Sequence, residues 1–396
     1  MNTLFESGFG RNIRVRISGG SHEDSILCHV KNFPISFQGE EFDMEKLAAF
    51  SALRSPGKPL TSPRREEDFP IFDEGIFDSN KLKCSDFSFS IKNKDFRIEE
   101  YHEFQHKPRP GHADYPANIK YKGNANLSGG GPFSGRMTAP ICVLGGLALQ
   151  LLEKRGIVVF SHISSIGDIC DISAVDISFP VSSTIIPSNG EGAAVMKSSE
   201  NELKINALMP LREDLLHSRL AFPLFDKSVE KKMKNLIEKV SANGDSIGGS
   251  IECVALNLPV GLGGPMYDGL ESIISPLLFG IPGAKGVEFG RGFQLAKLLG
   301  SQANDPYYIE SDRIYTATNN HGGILGGIST GMPLISRVAF KPTPSIAIPQ
   351  DTVNLLTNEN DHIKITGRHD PCIVLRAHPV VTSLVALAIL DCLTEA

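Results

Sequence analysis

Tryptophan is absent from all 396 residues, and the seven cysteines (Cys28, Cys84, Cys142, Cys170, Cys253, Cys372, Cys392) are odd in number, scattered and never spaced Cys-x-x-Cys. That usage reads as reduced cytosolic thiols rather than a disulfide framework. The missing tryptophan leaves the near-ultraviolet region to any aromatic cofactor. The N-terminus lacks a basic stretch followed by an apolar run, and no segment reads as an uninterrupted membrane span, so the expectation is a soluble, untargeted, cytoplasmic protein with no membrane partner. Positive charge is in deficit. A net charge of −6 argues against a general nucleic-acid binder, although Arg and Lys can still be concentrated in a pocket for a small anion. Regular βαβ alternation and repeats of 20 to 50 residues are also missing, which sets aside a Rossmann sheet, a barrel and a solenoid.

What remains is a mixed α+β layer structure. Asn12 to Ile17 alternates at period two, and Ser250 to Leu258 and Ile335 to Phe340 are rich in β-branched and apolar residues, so these read as strands. Asp43 caps a helix over Met44 to Leu53; Ser228 caps Val229 to Val240, ending near Asn243-Gly244; Ile141 to Lys154 and Val380 to Leu393 are apolar enough to be buried helices. The length would admit two domains, but no boundary is evident, and the expectation is one domain over 1–396. The polar stretch at about 187–204 reads as an exposed excursion.

Three histidine clusters stand out: Gly19-Gly20-Ser21-His22, Arg109-Pro-Gly-His112-Ala-Asp114-Tyr115, and Gly367-Arg368-His369-Asp370-Pro371. In the second, Pro110 stiffens and Gly111 frees a short stretch that sets an imidazole between a cation and a carboxylate, which is how a chain presents a proton-transfer group. Three such clusters far apart in sequence suggest one shared pocket. Gly129-Gly130-Gly131, followed by Ser134-Gly135-Arg136, and Gly326-Gly327-Ile328-Ser329, followed by Lys341-Pro-Thr343-Pro-Ser345, set hydroxyls and cations beside glycines, as phosphate binding requires. Any single glycine cluster reads equally well as a tight turn.

Taken with Gly244-Asp-Ser-Ile-Gly248, Gly261-Leu-Gly263, Lys285-Gly-Val-Glu288, Asn320 to Ser329, Lys341-Pro-Thr343 and Gly367 to Cys372, these blocks resemble the chorismate synthase family, in the family's order and over nearly the whole chain. The resemblance implies a β-α-β sandwich with central helices between antiparallel sheets, assembled as a homotetramer. It implies a carbon–oxygen lyase that removes phosphate from 5-enolpyruvylshikimate-3-phosphate by 1,4-elimination to give chorismate, with reduced FMN as cofactor. The flavin is reduced either by the chain with NADPH, as in some members, or by an outside source. By residue, it implies that His22 protonates the leaving phosphate, His112 protonates the reduced flavin, and Asp370 works with the flavin to remove the C6 proton. Ser21 and Ser134 match pocket hydroxyls. Arg54, Arg136 and Arg368 match substrate cations, and Ser134, Gly326, Lys341, Thr343, Ser345 and Arg368 match positions around FMN. No metal is implied.

Several pocket motifs depart from the family. Gly-Glu-Ser-His-Gly reads Gly19-Gly20-Ser21-His22-Glu23; a contact from Glu23 to His22 would raise that imidazole's pKa, and an inward Glu23 would repel a phosphate. Gly-Gly-Gly-Arg-Ser-Ser-Ala-Arg reads Gly129 to Arg136 with Pro132 and Phe133 in place of a cation and a hydroxyl, which should weaken FMN binding. An expected arginine aligns with Pro59, with Lys58 as a substitute, and Thr382 replaces a glutamate. One alternative is therefore a catalytically impaired paralogue that binds flavin or a shikimate-type phosphate. A remote one is a zinc metallopeptidase, since His102-Glu-Phe-Gln-His106 satisfies His-Glu-x-x-His; Pro108 and Pro110 leave no length for the helix that motif needs.

Overall fold

The computed structural model describes residues 6–35, 41–95, 106–123, 128–178, 222–310 and 312–394. The excursion at 187–204, and His102 of the peptidase-like motif, lie outside the described residues.

Period-two alternation builds the first sheet. In Arg14–Gly19, Val15 and Ile17 are buried between exposed Arg14 and Arg16; Ser25–Lys31 repeats the pattern with Ile26, Cys28 and Val30 inside. These strands sit in a five-stranded antiparallel sheet in the order Glu6–Phe9, Arg14–Gly19, Ser25–Lys31, Phe87–Lys92, Ile71–Phe72. The second sheet, also antiparallel, runs Ala284–Phe289, Leu334–Phe340, Gly249–Leu256, Val158–Ile166, Ile169–Cys170. Its Val158–Ile166 strand is buried along nearly its whole length, because both faces are covered.

Between the sheets lie the helices Met44–Arg54, Ala139–Lys154 and Val374–Leu393. Ala139–Lys154 touches strands of both sheets, and it crosses Val374–Leu393 at Gly145, where an added Cβ would fall 2.1 Å from Ser383 Oγ. A side chain there would push the two helices apart. Asp43 caps the first helix as expected, accepting from Lys46 N at 2.9 Å. The cap of the later surface helix, Glu230–Ala242, is displaced: Asp226, not Ser228, accepts the backbone N–H, because a 3₁₀ turn at Lys227–Val229 precedes the helix. Val374–Leu393 starts six residues before the expected Val380. Pro379 deletes one ladder bond in its second turn, and the burial of almost every residue in the helix outweighs that loss. Contrary to the sequence expectation, Gly135–Lys154 and Val374–Leu393 are long and apolar enough to cross a membrane; both are buried between the sheets.

On the outer face of the second sheet, buried His162 stands between Asp171 (2.8 Å from Nδ1) and Glu252 (3.0 Å from Nε2). Glu252 also accepts from Ala174 N, Ser173 Oγ and Arg337, and Asp171 from the backbone N–H groups of Phe225 and Asp226.

Candidate active site

A cavity of about 630 Å³, within the range of small-molecule sites, opens where the two ends of the chain and its middle meet. Its wall takes His112, Ser134, Arg136, Arg54, Lys341, Thr343, Ser345, Arg368 and Asp370 from five separate stretches. Eight of the lining side chains are Arg or Lys and two, Glu66 and Asp370, are carboxylates, so the cavity is built for an anion.

The glycine run packs against both histidines. Gly129, Gly130 and Gly131 all have positive φ (61°, 91° and 49°), which L side chains rarely adopt. A Cβ on Gly129 would lie 1.8 Å from His22 Cε1, and one on Gly130 would lie 3.3 Å from His112 Nε2. His22 is therefore packed directly beneath the backbone that lines the cavity. Ser21 Oγ donates to Gly129 O and lies 3.0 Å from His22 Nδ1, so it accepts from that nitrogen and leaves Nε2 toward Arg64, 3.5 Å away. Burial first, then the positive fields of Arg64 and Arg109, push the His22 imidazole down to about 4. This is opposite to the effect expected of a Glu23 contact. The Glu23 side chain folds over Gly20 instead, with Oε1 3.2 Å from where a Gly20 Cβ would stand.

Asp370 is held at both oxygens, accepting from Ser62 N at 2.7 Å and from Arg376 at 2.5 Å. The substrate cations of the sequence reading separate into two kinds. Arg136 lines the cavity but directs its donors into the protein, to Asn93, Asp68, Lys92 O and Glu66. Arg368 makes a bidentate pair with Asp95, 2.8 Å for each contact. Arg54 donates Nε to Asp68 at 2.7 Å, while its Nη2 is buried without a hydrogen-bond partner among the described residues. Asp68 thus bridges two buried guanidiniums. Burial alone would raise its carboxyl, but Arg54 and Arg136 outweigh that and hold it at about 2.

Of the expected cofactor positions, Thr343 Oγ1 is buried and has no partner among the described residues, Ser345 Oγ accepts from Arg109 at 3.2 Å, and Lys341 donates to Gly111 O. Burial and the neighbouring Lys285 pull the Lys341 ammonium below its ordinary value. Ser134 lines the cavity and caps the turn that follows, accepting from Arg136 N at 3.3 Å. Gly326 is not in the cavity wall. It turns the short hairpin Ile324–Leu325 and Ile328–Ser329, whose other glycine, Gly327, packs on Gly264 and Gly269; the cluster answers a need for close packing. Lys58 does not replace the missing arginine: its Nζ donates to Ala52 O and Leu53 O at the end of a helix, 2.6 and 2.7 Å away.

Sequence reasoning missed Arg64, Arg376 and the wall from Phe279 to Ala284. Pro63-Arg64-Arg65, directly after a Pro-Gly loop, was a readable signal for the first. Phe279-Gly-Ile-Pro-Gly-Ala284 carries no polar group to mark it.

The architecture and cavity can be set beside known proteins. A family model described as chorismate synthase matches residues 13–394. The chorismate synthase of Lancefieldella parvula is 37% identical over 392 residues, covering 98% of this chain and 97% of that protein; that of Korarchaeum cryptofilum is 39% identical over 386 residues, covering 97% and 96%. A crystal structure of chorismate synthase shares the fold with a TM-score of 0.69 at 22% identity, over 98% of this chain and 93% of that one. With sequence and fold agreeing along nearly its whole length, the chain belongs to the chorismate synthase family.

Proposed function

We propose that this cavity carries out the family's reaction with His22, His112 and Asp370 as its proton-transfer groups and Arg54 and Arg64 as its chief anion grips. The chain is a lyase that removes phosphate from 5-enolpyruvylshikimate-3-phosphate by 1,4-elimination to give chorismate, in the shikimate pathway to aromatic amino acids. The observation that carries the residue assignment is Arg54 Nη2, a buried donor without a partner among the described residues, in a wall with four cations to every carboxylate. A substrate with two carboxylates and a phosphate supplies what that wall lacks.

Removal of the C6 proton needs an acceptor, and departure of the phosphate needs a donor. Asp370, fixed by Ser62 N and Arg376, has acceptor capacity left on both oxygens. His22, which lies behind Gly129 rather than in the cavity wall, is neutral in the free protein because burial and two arginines oppose its charge. A phosphate dianion seated against Arg64 offsets those fields, so His22 takes up its proton as substrate binds and holds it where the leaving group departs.

Chorismate synthases work with reduced flavin, which when bound supplies electron density to the substrate ring without net redox change. The residues here fit FMN: Thr343 Oγ1 awaits a partner, Lys341 and Ser345 stand beside it, and Pro132, Phe133 and Pro282 give a flat apolar wall. Arg368 holds its face of the cavity through Asp95. Gly326 is left out of the proposed contacts. A homotetramer in the cytoplasm is proposed on the family resemblance, and light scattering of the purified protein tests the assembly.

The deciding assay is anaerobic, with chemically reduced FMN and 5-enolpyruvylshikimate-3-phosphate. Phosphate release with chorismate formation is expected. Substrate binding without chorismate at saturating reduced FMN would replace this reading with that of a binding protein.

A further inference from the structure

His112 reaches the cavity just before the short helix Asp114–Lys120, and its Nδ1 lies 2.6 Å from Asp114 Oδ1. Two lone pairs do not face each other at that distance, so Nδ1 carries a hydrogen and donates it to the carboxylate. The other neighbour, Arg109 Nη2, is 3.0 Å from Nδ1 and 3.4 Å from Nε2 at once. A point that close to both ring nitrogens lies beside Cε1 or over the ring, along neither lone pair, so it does not take the Nδ1 direction from Asp114.

Asp114 is itself fixed. It is 2% exposed; Oδ2 accepts from Arg109 N and Nε at 3.0 and 2.7 Å, and Oδ1 accepts from Nη2 at 2.8 Å. Nε2 of His112 faces Gly130, whose lack of a side chain keeps that nitrogen open to the cavity.

We propose that Asp114 is a positioning residue for the elimination: it locks His112 as the Nδ1–H tautomer, so that every proton the imidazole exchanges with the cavity passes through Nε2. In the donating direction the Nε2–H bond of the imidazolium breaks, the acceptor in the cavity gains the proton, and a neutral Nδ1–H imidazole remains; the return step is the reverse. The ring need not turn over between the two states, because Asp114 holds the same hydrogen in both. The importance of this for turnover rests on the reading of His112 as a proton carrier, whereas the tautomer does not.

Two-dimensional proton–nitrogen NMR of flavin-free protein carrying ¹⁵N-labelled histidine tests the lock, with His112 assigned by difference from His112→Gln. Wild type should show hydrogen on Nδ1 and a bare Nε2 in the neutral form. Asp114→Ala should release the ring to the Nε2–H form that free imidazole favours, and should lower single-turnover rate roughly 30-fold with KM for substrate changed far less. Asp114→Asn, which keeps an oxygen for Nδ1–H, should retain the tautomer and recover part of the rate. Hydrogen on Nε2 in neutral wild type, or an Nδ1–H form that survives Asp114→Ala, overturns the proposal. If Asp114→Ala fails to fold, the wild-type spectrum still decides. Full turnover by His112→Ala would sink the reading of the site while leaving the tautomer result standing, so the two failures are told apart.

Discussion

The two buried ionic clusters, at His162 and at Arg54, close in different ways. Around His162, both imidazole nitrogens and all four oxygens of Asp171 and Glu252 have partners, and those partners include backbone N–H groups on either side of the sheet's outer covering. Around the cavity, Arg54 Nη2 and Thr343 Oγ1 are left over. A satisfied network holds chain segments in place; an unsatisfied one in a cleft is a standing demand for a ligand. Neither buried charge nor a single leftover donor marks a site by itself, since Arg337 Nε beside Glu252 also lacks a partner among the described residues; leftover donors that line a cleft do.

The largest effect expected from this contrast is on stability. His162→Phe keeps the ring contact with Phe225 but leaves Glu252 and Asp171 without their shared cation, and should cost about 3–5 kcal/mol in denaturant unfolding. Turnover per folded molecule should hold. A large loss of turnover without loss of stability would erase the distinction between the clusters.

In the cavity the order reverses. With His112 and Asp370 proposed as proton-transfer groups, His112→Ala and Asp370→Ala should lower the anaerobic single-turnover rate about 100-fold or more, equivalent to at least ~2.7 kcal/mol. Arg54→Ala should act chiefly on apparent substrate affinity, with Asp68 still paired to Arg136. Equal falls in both parameters for all three variants would mean that capture and chemistry are not divided among these residues.

The pH dependence of stability sharpens the same contrast, since the buried histidines shift in opposite directions. Burial, reinforced by Lys58, lowers His378 to about 3, and His22 stands at about 4. The unfolded chain binds protons there that the folded chain refuses, so stability should fall as pH drops from 6.5 toward 4, by at most ~1.4 kcal/mol per unit for each histidine. For His162, burial alone would lower the imidazole, but Asp171 and Glu252 outweigh it and raise it above the ordinary value. Its contribution is complete below about 6.5 and is lost as pH rises through the folded-state value. Chemical denaturation across pH should show His378→Leu flattening only the acid limb, whereas His162→Phe should abolish the alkaline decline and also alter the acid limb, since burial alone would raise the Glu252 carboxyl and His162 is what chiefly holds it low. An alkaline limb unchanged by His162→Phe, or altered by His378→Leu, would contradict the assignment.

The smallest effect concerns flavin. Oxidised FMN alone should bind weakly and tighten when substrate is present, and Pro132→Arg should strengthen it by about tenfold, or ~1.4 kcal/mol. Flavin absorbance follows this without tryptophan in the way. Tight binding in the absence of substrate, unchanged by Pro132→Arg, would remove Pro132 from the account.

Much of this was readable from the chain alone. Alternation in Asn12 to Ile17 and the sustained apolar run of Ile141 to Lys154 depend on local pattern, and so does the capping by Asp43. Of the three histidine clusters expected to share a pocket, those of His112 and Asp370 line the cavity together, whereas Ser21 and His22 lie behind Gly129. What could not be read is which cations remain available. Arg136 is answered by Asp68 and Arg368 by Asp95, carboxylates 68 and 273 positions away, and no short-range pattern announces such a partner. The glycines of the Gly326-Gly327 turn illustrate a related difficulty: Gly326 lies outside the cavity wall and Gly327 packs on Gly264, and a glycine that seats a ligand looks in sequence like one that seats another backbone.

Asp68 and Glu66 together answer the two buried guanidiniums of Arg54 and Arg136, so the cavity's excess of positive charge rests on the other Arg and Lys side chains of its wall. The chain as a whole carries −6. A multiply charged anion arriving from solution therefore meets repulsion from the whole surface first, and attraction only within a Debye length of about 8 Å from the opening at physiological salt. Added salt relaxes the first and weakens the second. The encounter rate is consequently far less sensitive to ionic strength than eight cations in one wall would suggest, and a cell's changing salt alters how firmly the substrate is held more than how often it arrives.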